Sequence, residues 1–243
     1  MLNRLSYLLL QVRNPDDPMR DAEVRSFARV LHCDTEQIRV CDLLESVPSE
    51  AQLNAADMVL LGGSGHYSAA GEGEWLEGVL DGLRGICESA KPTFASCWGF
   101  QAMARAMGGV VVHDPACAEL GTNPLRLTPE GQADPVFAPL GEVFYGQMGH
   151  EDYVRQLPPG ATPLASTDKV PNQAYRFDGR PIYCTQFHPE LNRDDLLERV
   201  RIYPEYIERI TGMELEHFGE LLQETPKAES LLLNLVRHVF GES

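Results

Sequence analysis

The chain has 243 residues, of which 43% are hydrophobic, and its formal net charge is −16. That length and apolar content suffice for a proper hydrophobic core. The strong negative charge disfavours general binding to nucleic-acid phosphates, and no apolar run approaches the ~18 residues that predict a membrane span.

The first hundred residues predict alternating strands and helices. The N-terminal ten residues are too short an apolar run for a signal peptide and fit a first buried strand. Strands are expected at 7–12, 37–44, 58–61 and 93–96, and helices at 19–31, from 48 onward, at 74–86 and from 98 onward. Continuously apolar strands are typical of a mainly parallel open sheet with helices on both faces, in which sites form at the carboxyl ends of the strands. We therefore predict an α/β fold.

The second half of the chain changes character twice. Short strands at 110–113, 123–127, 143–145 and 174–177, with a hairpin turn at Asp178-Gly179, predict an antiparallel layer at one edge of the same domain. Helices are then expected at 194–202, 205–210 and 214–222, and a last amphipathic helix begins at Thr225-Pro226. We interpret residues 1–243 as one domain, with 192–224 as an inserted helical segment and 225–243 as the closing helix. The inserted segment either packs over the sheet or caps a substrate or docks a partner.

Cys97 lies where a strand turns directly into a helix. Residues 93–96 are short and compatible with a strand, and from Trp98 onward apolar residues recur at helical spacing. The N–H groups of the helix N-terminus then lie beside the sulfur, which favours the thiolate and lowers the pKa of Cys97. Gly99 leaves room for the sharp turn. Taken alone, Cys97 is better explained as a buried core thiol, and His188 as a strand-end histidine with a satisfied hydrogen bond.

A base for this thiol comes much later in the chain. Residues 181–190 read as a buried strand that ends in His188-Pro189-Glu190. Side chains two apart on a strand point to the same face, so Glu190 can fix the tautomer of His188 and stabilise its imidazolium. The two motifs together favour Cys–His–acid catalysis over two unrelated core residues.

Several stretches resemble the motifs of class I (triad) glutamine amidotransferases. The sequence FASCWGFQ at 94–101 is similar to the nucleophile motif of that family, and QFHPE at 186–190 is similar to its histidine–glutamate signature. Further similar segments are LLGGSG at 60–65, GHED at 149–152 and NQAYR at 172–176. Within the family, the motifs are most similar to the amidotransferase part of GMP synthetase and its stand-alone relatives.

The resemblance implies a flavodoxin-like fold and a set of site residues. Cys97, His188 and Glu190 would form the triad, the backbone N–H groups of Gly63 and Trp98 the oxyanion hole, and Gly62, Gln101, His150 and Asp152 the substrate contacts. Asp152 would face the substrate amino group, although a solvated polar loop explains His150 and Asp152 equally well. The implied reaction is hydrolysis of the glutamine side-chain amide to glutamate and ammonia through a γ-glutamyl thioester.

Two positions depart from the family pattern. Ala95 stands where the family has a glycine, for which we expect a slightly altered turn, and Gly149 replaces a serine that can donate a hydrogen bond to substrate. No metal or other cofactor is expected, because the donor atoms of His113, Asp114 and Cys117 lack a second matching pair.

The expected ligand is glutamine or another γ-glutamyl small molecule, and neither nucleic acid nor membrane is an expected partner. The chain contains no phosphate-binding or adenylating-synthetase loop, so any acceptor of ammonia is expected on a separate synthetase subunit. Six cysteines without a C-x-x-C pair are typical of reduced thiols in a cytoplasmic protein. Two alternatives remain: a γ-glutamyl peptide hydrolase with the same triad, and a non-catalytic binding subunit acting through residues 192–224.

Overall fold

The computed structural model describes residues 4–241, so the first three residues of the N-terminal run lie outside the described range. The strands are β1 (Tyr7–Val12), β2 (Ile38–Asp42), β3 (Met58–Ser64), β4 (Thr93–Ser96), β5 (Val110–His113), β6 (Glu119–Leu127), β7 (Val143–His150), β8 (Asp152–Gln156), β9 (Ala161–Ser166), β10 (Ala174–Phe177) and β11 (Ile182–Thr185). The helices are α1 (Met19–Leu31), α2 (Glu50–Asn54), α3 (Glu74–Glu88), α4 (Trp98–Ala106), α5 (Pro129–Ala133), α6 (Arg193–Ile202), α7 (Glu205–Thr211), α8 (Leu215–Leu221), α9 (Pro226–Glu229) and α10 (Leu231–Phe240). Across the described range, no helix combines the length and apolar character needed to cross a bilayer.

One large sheet organises the structure. Its strand order is β2-β1-β3-β4-β11-β10-β9-β6-β7, and β5 pairs with β8 in a separate two-stranded sheet. Strands β2, β1, β3, β4 and β11 run parallel, whereas β10, β9, β6 and β7 continue the sheet in antiparallel fashion. The predicted α/β architecture is therefore confirmed, and the antiparallel layer extends the same sheet.

Helices bury their apolar stripes on both faces of this sheet. On one face, Phe27 of α1 and Leu232 of α10 pack in the same cluster as the strand residue Leu60. On the other face, Leu80 of α3 and Phe100 of α4 pack in a second cluster. A third, smaller cluster holds the segment 192–224 together through Leu196, Val200, Ile207, Phe218 and Leu222. Since Leu120 of β6 packs against this third cluster, the segment covers one end of the sheet.

Two regions that the sequence predicts as loops are strands. β3 continues through Gly62 and Gly63 to Ser64, so these glycines lie in the last residues of a strand and not in a turn after it. β7 runs to His150, and β8 begins at Asp152, which leaves only a tight connection where a solvated loop was the alternative. Full-length pairing with β6 fixes β7, and a Cβ at Gly146 would lie 3.1 Å from the ring of Phe187, so this glycine permits close packing.

The C-terminal helices match their predicted positions closely. The expected closing helix is divided at Ser230 into α9 and α10. α6 begins after Asn192, whose side chain accepts a hydrogen bond from the backbone N–H of Asp195 while the Asp195 side chain accepts from the Asn192 N–H. This reciprocal cap satisfies two backbone donors at the helix N-terminus and fixes where α6 starts.

Candidate active site

Cys97 is the single residue between β4 and α4. Its backbone adopts φ 51° and ψ −106°, a positive-φ conformation that residues other than glycine rarely adopt. The Cys97 N–H donates to the carbonyl oxygen of Thr185 at 2.8 Å, which ties the turn to β11. A Cβ at Gly99 would lie 2.5 Å from the Cβ of Leu61. Gly99 thus allows α4 to pack against β3, whereas the strained turn that we expected Gly99 to relieve is borne by Cys97 itself.

The sulfur of Cys97 is held as a thiol. Its Sγ–H donates to the carbonyl oxygen of Gly149 at 3.6 Å, and the residue is 8% exposed. Burial raises the pKa of Cys97 to about 12, although the Arg199 guanidinium and the Trp98 N–H act in the opposite direction. The lowering of the pKa expected from the helix N-terminus is therefore outweighed, because desolvation penalises the thiolate more than these groups stabilise it.

His188 and Glu190 form a fully buried pair. The strand predicted over 181–190 is shorter than expected, because β11 ends at Thr185 and both residues lie in the turn that follows it. His188 Nδ1 lies 2.6 Å from Glu190 Oε1, and the Ser96 hydroxyl donates to the same oxygen at 3.0 Å. Burial lowers the pKa of His188 even though Glu190 raises it. Burial alone would raise the pKa of Glu190, but His188 outweighs it and the pKa is lowered. The resulting state is a neutral imidazole beside a carboxylate, which places the proton on Nδ1 and the lone pair on Nε2.

Gly63 borders both His188 and Cys97. A Cβ built on Gly63 would lie 3.1 Å from His188 Cε1 and 3.8 Å from Cys97 Cβ. The structure thus brings together the predicted triad and the predicted oxyanion glycine. A Cβ at Gly62 would instead overlap the carboxylate of Glu23, so Gly62 backs onto a different, buried ion pair. The roles assigned to Gly62, Gly63 and the Trp98 N–H stay predictions.

A cavity of about 260 Å³ opens onto Cys97 and is lined by three of the four predicted substrate contacts, Gln101, His150 and Asp152, but not by Gly62. Asp152 lines it, with Oδ1 2.8 Å from His113 Nδ1 and Oδ2 accepting from the Ser68 hydroxyl at 2.5 Å. Gln101 donates from Nε2 to the Asp152 carbonyl oxygen at 2.8 Å. His150 Nδ1 lies 3.0 Å from that same carbonyl. Gln101 and His150 therefore fix the Asp152 backbone, and their contacts with substrate stay predictions.

Several lining residues escaped the sequence analysis. His113, considered there only as a metal ligand, meets Asp152 because β5 pairs with β8 at that register. Glu205, Tyr206 and Arg209 of α7 also line the cavity. The helix α6 contributes Arg199, whose guanidinium reaches His188. One signal for Arg199 was available, since it lies three residues after Leu196, on the side of the helix that is buried.

Comparisons with known proteins identify one family and one fold. The family described as glutamine amidotransferase class-I matches residues 23–195. Over 138 residues the chain is 36% identical to the GMP synthase [glutamine-hydrolyzing] of Streptomyces avermitilis, a match that covers 57% of this chain and 24% of that protein. Similar folds occur in a glutamine amidotransferase from Thermotoga maritima (TM-score 0.76, 20% identity, 98% of this chain and 99% of that one) and a glutamine amido transferase from Methylobacillus flagellatus (TM-score 0.68, 20% identity, 96% and 94%).

Proposed function

The chain belongs to the class-I glutamine amidotransferase family, and we propose that it hydrolyses the side-chain amide of glutamine to glutamate and ammonia with Cys97 as nucleophile. The observation that supports this best is the buried His188–Glu190 pair, which makes Nε2 the proton-accepting nitrogen of an imidazole that borders Gly63 together with Cys97. In this arrangement Cys97 is the nucleophile, His188 the general base and acid, and Glu190 the group that orients and charges the imidazole.

The first half of the reaction forms a thioester. The proton of Cys97 Sγ moves to His188 Nε2, and the thiolate attacks the amide carbon of the substrate. The Gly63 and Trp98 N–H groups stabilise the oxyanion of the tetrahedral intermediate. His188 then gives its proton to the amide nitrogen, the carbon–nitrogen bond breaks, and ammonia leaves. Since the pKa of the buried thiol is about 12, the thiolate forms only as the proton is transferred.

The second half releases the product. His188 takes a proton from a water molecule, which attacks the γ-glutamyl thioester carbon. The carbon–sulfur bond breaks, the proton returns to Sγ, and glutamate leaves. The sum is glutamine plus water giving glutamate plus ammonia, with no cofactor required. Asp152, buried at the wall of the cavity, would pair with the substrate amino group.

The acceptor of the ammonia lies on another polypeptide in this proposal. The curated relatives that the chain resembles are named GMP synthase, and the match covers only 24% of the first of them. A separate synthetase subunit would supply the activated acceptor. We place the reaction in the cytoplasm because all six thiols are unpaired.

A second candidate is hydrolysis of γ-glutamyl peptides by the same triad. The cavity extends from Cys97 to Glu205, Tyr206 and Arg209 of α7, so a leaving amine larger than ammonia would meet charged and aromatic side chains there. The acyl group and the thioester are identical in the two reactions, and only the leaving group differs.

Incubation with glutamine and with a panel of γ-glutamyl dipeptides tests both candidates. We expect release of glutamate from glutamine, an acyl-enzyme on Cys97 detected by mass spectrometry, and a loss of at least about a thousandfold in Cys97→Ala. The matched control Cys33→Ala, which removes a half-buried thiol at the end of α1, keeps the activity. Turnover of peptides alone would establish the second candidate, and no acyl-enzyme with any compound would favour a non-catalytic binding subunit.

A further inference from the structure

The base of the triad is already engaged by a residue from outside the strand ends. Arg199 Nη1 on α6 lies 3.0 Å from His188 Nε2. A neutral imidazole with its proton on Nδ1 offers Nε2 as an acceptor, so the guanidinium donates to the lone pair that Cys97 needs. Sγ of Cys97 bonds to Gly149 instead, and among the described residues no hydrogen bond joins it to His188.

The guanidinium occupies the centre of the site. A Cβ on Gly63 would lie 3.5 Å from Arg199 Nη1 and 3.8 Å from Cys97 Cβ, so both side chains border the same point. His188 is the only hydrogen-bond partner of the Arg199 side chain within residues 4–241, and its buried Nε has no partner. An arginine that serves only structure normally uses its donors on carboxylates or carbonyls. Arg199 instead makes its shortest hydrogen bond to His188, the proposed base.

The helix that follows Arg199 borders the substrate cavity. The Tyr206 hydroxyl donates to the Gly65 carbonyl oxygen at 3.0 Å, and Arg209 pairs with Glu151 at 2.6 Å. All four residues line the cavity that opens onto Cys97. A ligand that enters the cavity therefore meets the contacts that hold α7, and α7 follows α6 after only two residues.

We propose that Arg199 is a positioning residue that keeps His188 from Cys97 until an amide substrate occupies the cavity beside α7. This proposal rests on the proposed function only in taking Cys97 and His188 as the reacting pair. In the resting arrangement the thiol stays protonated and unreactive. When α6 and α7 shift, Nε2 is released, the proton of Sγ moves to it, and the thiolate–imidazolium pair forms.

The opposite role for Arg199 is also physically defined. Its charge lowers the pKa of Cys97, so a residue acting only through this charge would activate the thiol. The two roles predict opposite effects when the guanidinium is removed. A thiolate stabiliser would leave a less reactive Cys97 behind, whereas a residue that blocks the base would leave a more reactive one.

Alkylation of Cys97 by iodoacetamide without glutamine separates these roles, and it does not require the protein to hydrolyse any substrate. We expect Arg199→Met to raise the rate near pH 7 by about tenfold or more, the factor typical of losing one hydrogen bond to a charged group. The rate in Arg199→Met should also reach a plateau at a pH below that of an ordinary thiol, because the thiolate now forms with His188 as its partner. Arg199→Lys, which keeps a cationic donor on a shorter reach, should lie between the wild type and Arg199→Met. Arg201→Met, an exposed arginine on the same helix, should match the wild type.

The shape of the pH profile distinguishes release of the base from mere opening of the site. Better access for iodoacetamide would raise the rate by the same factor at every pH, and that result would overturn the proposal. A rate in Arg199→Met equal to or below the wild type would overturn it as well. Circular dichroism checks the fold of each variant. If Arg199→Met does not fold, Arg199→Gln, which has a shorter side chain that ends in an uncharged amide, is put to the same test and judged by the same outcomes.

Discussion

The strand ends and the helices that cover them contribute differently to this site. Cys97 directly follows β4, and His188 and Glu190 lie beyond the end of the adjacent parallel strand β11. Backbone hydrogen bonds from Cys97 to Thr185 and from His188 to Gln147 hold these segments on the sheet. Arg199 and Tyr206 belong to α6 and α7, which we call the cover helices, and reach the site through long side chains. The residues that follow the strands are thus held in fixed positions, whereas the side chains of the cover helices make contacts that can change.

The same division appears in how each region is stabilised. The parallel strands are buried on both faces by two large apolar clusters. The cover helices rest on a small cluster of their own and on polar links such as Tyr206 to Gly65 and Arg209 to Glu151. Regions with few buried apolar contacts open at lower free energy than core strands. A site assembled from both regions therefore combines the proposed catalytic residues, which the sheet holds in place, with side chains of α6 and α7 that can move more easily.

Neutralising Glu190 tests the residues that follow the strands, and it should have the largest effect on activity of the changes considered below. Glu190→Gln keeps the shape of the side chain but removes the charge that raises the pKa of His188. The pKa of His188 should fall further, and an amide can also hold the wrong tautomer, so kcat/KM for glutamine should fall by about 10²–10⁴-fold. The measurement is the pH profile of kcat/KM, whose acidic limb should move to lower pH.

The control for this variant is Glu198→Gln on α6, an exposed carboxylate near the same site. It should leave both the rate and the pH profile unchanged. Stability should change little in Glu190→Gln, since the amide can still accept from Ser96. A rate within about threefold of the wild type would show that Glu190 does not orient the base, contrary to the large factors typical of such groups.

Local sequence patterns predicted much of the sheet region and the residues that follow its strands. The helix at 19–31 was predicted at the bounds observed, because its apolar spacing and flanking turn are local signals. The place of Cys97 followed from a strand-to-helix junction. The contact of His188 with Glu190 was expected from the two-residue period of a strand, but β11 ends at Thr185, so the turn that follows the strand brings the two side chains together. Strands β8 and β9 were not predicted. Asp152–Gln156 is mostly polar, and Pro163 interrupts the strand pattern of Ala161–Ser166.

Properties that depend on distant parts of the chain could not be predicted. The pKa of Cys97 is set mainly by burial under groups far away in sequence, so the helix N-terminus gave the wrong direction. His113 reaches Asp152 only through the pairing of β5 with β8. The sequence indicated that Gly99 serves the turn, whereas in the structure it is the close packing of Leu61 that requires a glycine there. In each case the property depends on which parts of the chain meet in the fold, and local sequence patterns do not reveal that.

Arg13 contacts both the sheet region and the cover helices, and its removal should have the next largest effect, in this case on stability. This fully buried arginine follows β1, pairs with Glu23 of α1 at 3.2 Å and donates to the Tyr203 hydroxyl at the end of α6 at 3.2 Å. Arg13→Met leaves the Glu23 carboxylate buried without its partner, so the free energy of unfolding should fall by about 3–5 kcal/mol. Urea unfolding measures this loss.

The matched control is Arg25→Met, which removes an exposed arginine from α1. It should change the free energy of unfolding by no more than about 0.5 kcal/mol. Adding Glu23→Gln to Arg13→Met should restore part of the lost stability, because the unpaired charge is then gone. If Arg13→Met lowered the free energy of unfolding by less than about 1 kcal/mol, the buried pair would not stabilise the contact between the sheet region and the cover helices.

The smallest effect is expected for a single hydroxyl of the cover helices. Tyr206→Phe removes the hydrogen bond to the Gly65 carbonyl oxygen but keeps the ring that Arg209 stacks on at 4.9 Å. The free energy of unfolding should fall by about 1 kcal/mol, the net value of one neutral hydrogen bond. If the cover helices adjust as proposed, alkylation of Cys97 should also quicken by about threefold, which corresponds to a fraction of that bond. Tyr145→Phe, on the exposed face of β7, is the control and should alter neither quantity. Slower alkylation in Tyr206→Phe would show that α7 supports the reactive arrangement and does not restrain it.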